Sequence, residues 1–544
     1  MAQNKIPETY AEALFDAKRG FVIIGLTGFT GSGCSKTAGL LSRSDKFLLP
    51  PTLAGHSYKD DLFGDKHYNL LRNHWDQFAW EPFTRIEVAA VLFGILLRQS
   101  LLGEMTSDLP EIVHTHANES REKLAGLSLL LEDKRLTEPE SSQLIKAYQC
   151  AVEILRQIKD DKPISDFIQM MQTAGDRIRL FGSYNAGRAD PRNIKLVPEA
   201  IRKVISAYKR VEGKKRFVVD AFRNPFEVEF FKRRYAEFYL ICMVTAPEHR
   251  AQQVRGSMTE RDLQRVWDKE SGKISGGDHP GVEIGDVARK VTGQDIPGCA
   301  QKADVFIAGS RIEKHLYYHL ARLLILIHKP GAVVPSRDEY CMQLAATARN
   351  MSGCLSRQVG AVLVKPNGYV VGVGWNNPPE GQAPCSVRSC SELLDGDSED
   401  SAYSQFERSE EFRAVIRNKN AGNRPFCFRS EYARLKNERG SEFTRALHAE
   451  ENAILQTAKL GGMSVQGATL YTTASTCTLC AKKAYHLDVG RVVFIDEYPG
   501  IARDQTIVTG KKDIVFNQFE GITGSAYFSL FSPLMPEKDL FDLY

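Results

Sequence analysis

His448-Ala449-Glu450-Glu451-Asn452-Ala453-Ile454-Leu455-Gln456, then Ala468-Thr469-Leu470-Tyr471-Thr472-Thr473, then Cys477-Thr478-Leu479-Cys480-Ala481-Lys482-Lys483-Ala484, decide how the C-terminal part of this chain folds. The first stretch reads as a helix with a polar start, the second as a buried strand, and the third as a helix beginning at the cysteines. Thiolates placed there gain from the partial positive charge of a helix N-terminus. One imidazole and two thiolates make three protein ligands for zinc, with the fourth tetrahedral position left for water. Zinc lowers the pKa of bound water from about 15.7 to about 7. Glu450, two residues beyond His448, is not needed as a ligand and is free to carry protons. A structural zinc site, or two buried cysteines and an ordinary histidine, would use the same residue types. Against both, neither motif carries a fourth Cys or His, Glu450 stands at the offset proton transfer needs, and a strand separates the two halves.

The H-x-E and C-x-x-C pair resembles the signature of zinc nucleobase deaminases, with Thr476 where proline is usual. Upstream, Arg337-Asp338-Glu339-Tyr340-Cys341-Met342 opens a helix running through Ala345, Ala346 and Ala348. Ser356-Arg357-Gln358-Val359-Gly360-Ala361-Val362-Leu363-Val364 and Tyr369-Val370-Val371-Gly372-Val373-Gly374-Trp375-Asn376-Asn377-Pro378-Pro379 follow, joined by a turn. Together these residues resemble deoxycytidylate (dCMP) deaminases over about the C-terminal third of the chain. The resemblance implies Zn2+ on His448, Cys477 and Cys480, Glu450 as the catalytic residue, Asn376 facing the sugar and Arg357 as a phosphate contact. A solvated arginine before a strand is the competing reading of Arg357. Trp375 and Asn377 replace the usual tyrosine and glycine. Relatives of these enzymes hold a second, structural zinc, for which Cys385, Cys390 and Cys427 are candidates, with Cys354 the other cysteine of the region; buried cysteines of no special role are the alternative.

The N-terminal part carries a second theme. Phe21-Val22-Ile23-Ile24-Gly25-Leu26-Thr27 reads as a buried parallel strand and leads into Gly28-Phe29-Thr30-Gly31-Ser32-Gly33-Cys34-Ser35-Lys36-Thr37, with helix to follow. A glycine-rich loop between strand and helix points backbone N–H groups at a phosphate. Gly28, Gly33 and Ser35 fit the P-loop spacing, with Gly31 inside the loop, but Cys34 holds the lysine position and Lys36 comes two residues late. A glycine-rich turn without a ligand is the bland alternative. Lys214 to Asp220 reads as a strand whose terminal Asp220 can reach Mg2+; Leu240 to Pro247 and Gln301 to Ala308 read as further buried strands. Residues 15 to 325 resemble nucleoside-monophosphate-kinase-like P-loop proteins, which implies a nucleoside triphosphate with Mg2+ at the loop. Arg250, Arg255 and Arg261 fall on a polar segment, and the missing lysine speaks for nucleotide binding rather than phosphoryl transfer.

Composition sets outer limits. At 544 residues the chain holds two or three domains with ordinary globular composition. A formal net charge of +4, without a basic block or arm, argues against a nucleic-acid partner. Eleven scattered cysteines without a signal peptide point to a reducing cytoplasm. The apolar stretch Ile86 to Leu102 contains Glu87 and Arg98 and reads as a buried helix, so no membrane association is expected. Pro110 to Asp161 reads as a polar helical insertion, a lid or subunit contact, and Glu392 to Thr444 as a charged one with an exposed loop at Asp395 to Asp400.

His328-Lys329-Pro330-Gly331-Ala332-Val333-Val334-Pro335 is the expected joint. The fold class expected is α/β: an N-terminal P-loop nucleoside-kinase-like three-layer αβα domain over 1–330 and a C-terminal cytidine-deaminase-like α/β/α domain over 331–544. That fusion resembles the bacterial anti-phage dCTP/dCMP deaminases. The resemblance implies conversion of free deoxycytidine nucleotides to deoxyuridine nucleotides, depletion of the pool during infection, an inhibitor (protein or RNA) that holds the enzyme quiet, a homo-oligomer and a cytoplasmic location. A polynucleotide deaminase acting on tRNA or single-stranded DNA, and a nucleotide-regulated assembly protein, remain the alternatives.

Overall fold

The computed structural model describes residues 20–52, 63–103, 111–161, 163–185, 187–254, 257–273, 288, 291–309, 313–397, 399–438, 440, 443–496 and 502–541. Arg255, Pro110 and Ser398 lie outside them. The chain divides into two compact units, 1–334 with 520–544, and 335–519. The crossing near the Pro-Gly joint lies close to the expected 330/331 boundary. The C-terminal end does not follow the expected division: Gly521–Ile522 pairs antiparallel with Val305 and Phe306, and Ala526 and Leu530 enter the first unit's core. A linear reading gives everything after the joint to one domain; the short strand's backbone pairing and these two apolar side chains return it to the other.

In the first unit, β1 (Val22–Thr27), β2 (Thr84–Glu87), β3 (Arg216–Asp220), β4 (Phe238–Val244) and β5 (Val305–Ala308) form a parallel sheet. Gly521–Ile522 extends it, and the order of the five parallel strands is β5-β4-β1-β3-β2. All six residues of β1 are buried, as expected of a central parallel strand with both faces covered. Val22, Ile24 and Leu26 share a core with Val218, Ile241, Trp75, Leu320 and Leu324. The helix Pro225–Arg234 packs on β4. The apolar stretch after Ile86 is α1 (Val88–Leu101), almost wholly buried. Among the described residues no helix is long and apolar enough to cross a membrane.

The segment read as a polar insertion contributes one helix face to the core. Glu138–Asp161 buries Leu144, Ile145, Tyr148, Ala151, Ile154, Leu155 and Ile158 and packs against α1 and the helix Leu196–Glu212. Its polar residues alternate with an apolar stripe at helical spacing, so average polarity misleads where periodicity does not.

The second unit is a five-stranded sheet in the order β10-β9-β8-β6-β7, with β6 Gly360–Val364, β7 Val370–Trp375, β8 Thr469–Ala474, β9 Arg491–Asp496 and β10 Val515–Gln518. β6 runs antiparallel to β7 and β8, while β8, β9 and β10 are parallel. α2 (Arg337–Ala348) starts at a capping box between Ser336 and Glu339 and packs on β6 and β8. α3 (Ala449–Lys459) packs on β7, and its Ala449 and Ala453 share a core with Ala361, Leu363, Leu470 and Val492. The charged insertion has its own small core of Cys390, Leu393, Tyr403, Phe412, Ile416 and Phe426. There the buried Arg388 pairs with Glu407 and lies over the Tyr403 and Phe426 rings. Asp395, Asp397 and Glu399 are exposed, as expected of that loop.

α3 approaches β7 more closely than any side chain permits. A Cβ at Gly374 would lie 2.2 Å from the Ala449 carbonyl oxygen and 2.4 Å from the Ala453 nitrogen, and one at Gly372 2.3 Å from the Ala453 oxygen. Gly374→Ala is therefore expected to destabilise the protein by about 1–3 kcal/mol in chemical denaturation. Gly39→Ala, on a helix with open space at its Cβ, should be neutral or stabilising by up to about 1 kcal/mol.

Candidate active site

Two helix starts meet beside the second unit's sheet. His448 is the N-cap of α3, and the residue before it is pinned by a bridge in which Leu447 N–H donates to the Asn377 carbonyl at 2.9 Å. Cys477 is the N-cap of α4 (Thr478–His486), and Cys480 sits in its first turn, 1 % exposed. His448 Nδ1 lies 3.3 Å from Cys477 Sγ and 3.5 Å from Cys480 Sγ. A tetrahedral zinc with bonds of about 2.3 Å to sulfur and about 2.0 Å to nitrogen has N···S edges of about 3.5 Å, so the donor set fits the ion. Among the described residues this is the one group of three or more His, Cys, Asp or Glu arranged to hold a metal.

Electrostatics distinguish the residues. Cys480 donates to Cys477, and this bond, with His448 beside it, draws the Cys477 thiol down to about 3. The same bond, together with burial, pushes Cys480 up. Glu450 lies in the first turn of α3, 4 % exposed. Burial pushes its carboxyl up to about 7; the nearby Cys477 adds to this, while His448 and Arg357 oppose it. A carboxyl in that range both accepts and releases a proton near neutral pH.

α3 is fastened to β7 by polar contacts as well as by its glycines. Asn452 Nδ2 donates to the Trp375 carbonyl at 3.0 Å, and Val373 N–H donates to Gln456 Oε1 at 2.8 Å. Asn376, just beyond β7, bonds to the loop before β6: its Nδ2 donates to Arg357 O at 2.7 Å, and its Oδ1 accepts from Val359 N–H at 2.7 Å. Arg357 is paired with Asp496 at the end of β9, and its charge reaches Glu450. Thr476, the residue in place of proline, is buried, and its Oγ1 has no hydrogen-bond partner among the described residues. Sequence reasoning assigned no role to Asp496, Asn452 or Gln456; the readable signal for Asp496 was a lone acid closing a buried strand.

The candidate cysteines for a second zinc do not form a ligand cluster among the described residues. Cys390 is buried in the insertion's apolar core. Cys385 neighbours Cys427 instead, and burial with that neighbour pushes its thiol up. Cys390 opens a short helix on which it and Leu393 are the buried residues.

In the first unit, strand, glycine-rich loop and helix follow in the expected order, with Gly28, Gly31 and Gly33 at positive φ and the helix Cys34–Leu41 capped by Gly33. Ser35 is exposed. Thr37 turns its hydroxyl to the Gly33 carbonyl at 3.1 Å. Lys36 pairs with Glu313 at 2.8 Å. Asp220 pairs with Arg85 at 2.5 Å. Burial, with Asp220 nearby, pushes the Cys34 thiol up to about 12. Three partners not foreseen from sequence close on the loop: Glu270, Arg223 and Trp267.

Metal analysis of purified protein is expected to give one zinc per chain. Cys477→Ser and Cys480→Ser should lose it, while Cys390→Ser should retain it. Asn376→Ala, which frees the loop before β6, should keep the zinc and the fold but lower kcat/KM at least about tenfold.

Residues 335–496 match the family described as the cytidine and deoxycytidylate deaminase zinc-binding region. The deoxycytidylate deaminase of Enterobacteria phage T4 is 30% identical over 167 residues, 29% of this chain and 76% of the relative. That of Schizosaccharomyces pombe is 24% identical over 299 residues, 54% of this chain and 73% of the relative, a match longer than the second unit. The crystal structure of dCMP deaminase from cyanophage S-TIM5 in apo form is 21% identical, covers 34% of this chain and 98% of its own, and has a TM-score of 0.21. With a zinc donor set and a buried carboxyl inside the matched region, the chain belongs to the deoxycytidylate deaminase family.

Proposed function

We propose that the 335–519 unit deaminates free deoxycytidine nucleotides, dCMP or dCTP, to deoxyuridine nucleotides by hydrolysis. The observation that carries this reading is the buried Glu450 carboxyl, two residues from His448 and in electrostatic contact with Cys477. His448, Cys477 and Cys480 are the residues that hold Zn2+, and the ion when bound supplies the Lewis acidity that makes water nucleophilic near pH 7. Glu450 takes the proton of the attacking water and passes it to the ring nitrogen of the base. It then takes the remaining proton of the added hydroxyl and delivers it to the amine, so that the carbon–nitrogen bond breaks with ammonia leaving and the hydroxyl becoming the carbonyl. Burial keeps the carboxyl out of bulk water, so the proton stays in the site. Asn376 holds the loop on which Arg357 stands, and Arg357 is the candidate contact for the substrate phosphate.

The first unit is read as a nucleotide-binding module, with Gly28, Gly31, Gly33, Cys34, Ser35, Lys36, Thr37 and Asp220 as its loop and acidic residue and a nucleoside triphosphate with Mg2+ as ligand. Taken with the fused deaminase, this supports an anti-phage role in a cytoplasmic homo-oligomer, in which depletion of deoxycytidine nucleotides starves viral replication and a protein or RNA inhibitor restrains the enzyme beforehand. The near-neutral charge favours mononucleotides over a polynucleotide substrate.

Zinc-loaded protein offered dCMP, dCTP, CMP, CTP and a cytosine-containing oligonucleotide should deaminate a deoxymononucleotide, and Glu450→Ala should lower that rate by about 10²–10⁴ or more. Conversion of the oligonucleotide alone would move the function to nucleic-acid editing.

A further inference from the structure

The glycine-rich loop of the first unit lacks a lysine in register, yet it does not lack a cation. Cys34 holds the lysine position, and Lys36 is engaged with Glu313 on an exposed surface. The charge that reaches the loop is Arg223, just after β3: its Nη2 donates to Thr30 Oγ1 at 3.5 Å, and its Nη1 is bonded to Glu270. Glu270 is 0 % exposed. Its Oε2 accepts the Thr30 backbone N–H at 2.9 Å, and its Oε1 accepts the Thr30 hydroxyl at 2.5 Å as well as Arg223. One anion thus takes a loop N–H, a loop hydroxyl and a guanidinium. That donor set is the one a phosphate takes at a glycine-rich loop, where Arg is a strong, bidentate partner. The loop leaves β1, which lies between β3 and β4 where the strand order passes from one side of the sheet to the other, and ligands of open parallel sheets bind at such a point.

We propose that Glu270 is a resident anion in a seat for the terminal phosphates of a nucleoside triphosphate, and that Arg223 is the cation serving there in place of the missing lysine. This rests on the reading of the loop as a nucleotide site. Two anions cannot share the seat, so binding displaces Glu270 from Thr30. The helix Glu260–Glu270 goes with it, because Trp267, one turn earlier, donates its indole N–H to the Thr30 carbonyl at 3.1 Å. Arg250, between the Phe29 and Trp267 rings at 4.4 and 4.5 Å, is part of the same contact. Trp267 therefore reports on occupancy.

Isothermal titration of the full chain with ATP, dCTP and inorganic tripolyphosphate, each with Mg2+, tests this. Glu270→Gln should bind at least about tenfold tighter than wild type and Arg223→Gln at least about tenfold weaker. Wild-type binding that neither Glu270→Gln nor Arg223→Gln alters would overturn the proposal while leaving the nucleotide site standing. Absence of binding in both wild type and Glu270→Gln would remove the site and the proposal together. Should Glu270→Gln fail to fold, tryptophan fluorescence of the wild type decides: a saturable change on adding tripolyphosphate, lost in Trp267→Phe, is expected. Calorimetric binding without that change would contradict displacement of the helix.

Discussion

The candidate chemistry of this chain depends on one close approach, the seating of α3 on β7 through Gly372 and Gly374. With any side chain there, the helix would stand off the strand. His448 caps that helix and Glu450 lies in its first turn, so the backbone contact fixes the height of both above the sheet. Asn452 and Gln456 fix the helix along its axis by bonding to the Trp375 carbonyl and the Val373 N–H. A proton carrier misplaced by about 1 Å can lose about a hundredfold in rate, which is why the constraint matters beyond stability.

Cys477 and Cys480 arrive from a separate helix after β8, and the parallel pairing of β8 with β9 sets where that helix begins. β9 also ends in Asp496, the partner of Arg357. One pair of adjacent strands thereby supplies two candidate metal ligands on the connection between them and, at the end of β9, an anchor for the candidate phosphate contact. In the first unit a comparable economy closes the glycine-rich loop: Glu270 answers a hydroxyl, an N–H and a guanidinium, and Trp267 secures the same threonine.

The candidate zinc ligands were legible because their chemistry is local: H-x-E and C-x-x-C each sit within one helical turn, and β8 between them is a plain apolar run. The long-range partners were not. Arg357 and Asp496 are 139 residues apart, and Thr30 and Glu270 are 240 apart, so no spacing rule links them. The strands Val22–Thr27, Arg216–Asp220 and Phe238–Val244 were readable as apolar runs, and Ile86 to Leu102 as mostly a buried helix. Misreadings came where averages were used in place of period or topology. Glu138–Asp161 is polar in composition but apolar along one face. The chain's last segment follows the deaminase sequence, yet its backbone pairs with β5. Cys390, by contrast, has a spacing compatible with metal binding and is buried in the insertion's apolar core, in line with the reading of these residues as ordinary buried cysteines.

The proposed chemistry requires that His448, Cys477 and Cys480 hold a zinc ion with one position left for water, beside a carboxyl that is not a ligand. X-ray absorption at the zinc edge of the loaded protein measures this directly. The prediction is two sulfurs at about 2.3 Å and two lighter atoms, one an imidazole nitrogen, at about 2.0–2.1 Å, unchanged in Glu450→Gln. Three or four sulfurs, or a first shell altered by Glu450→Gln, would contradict it.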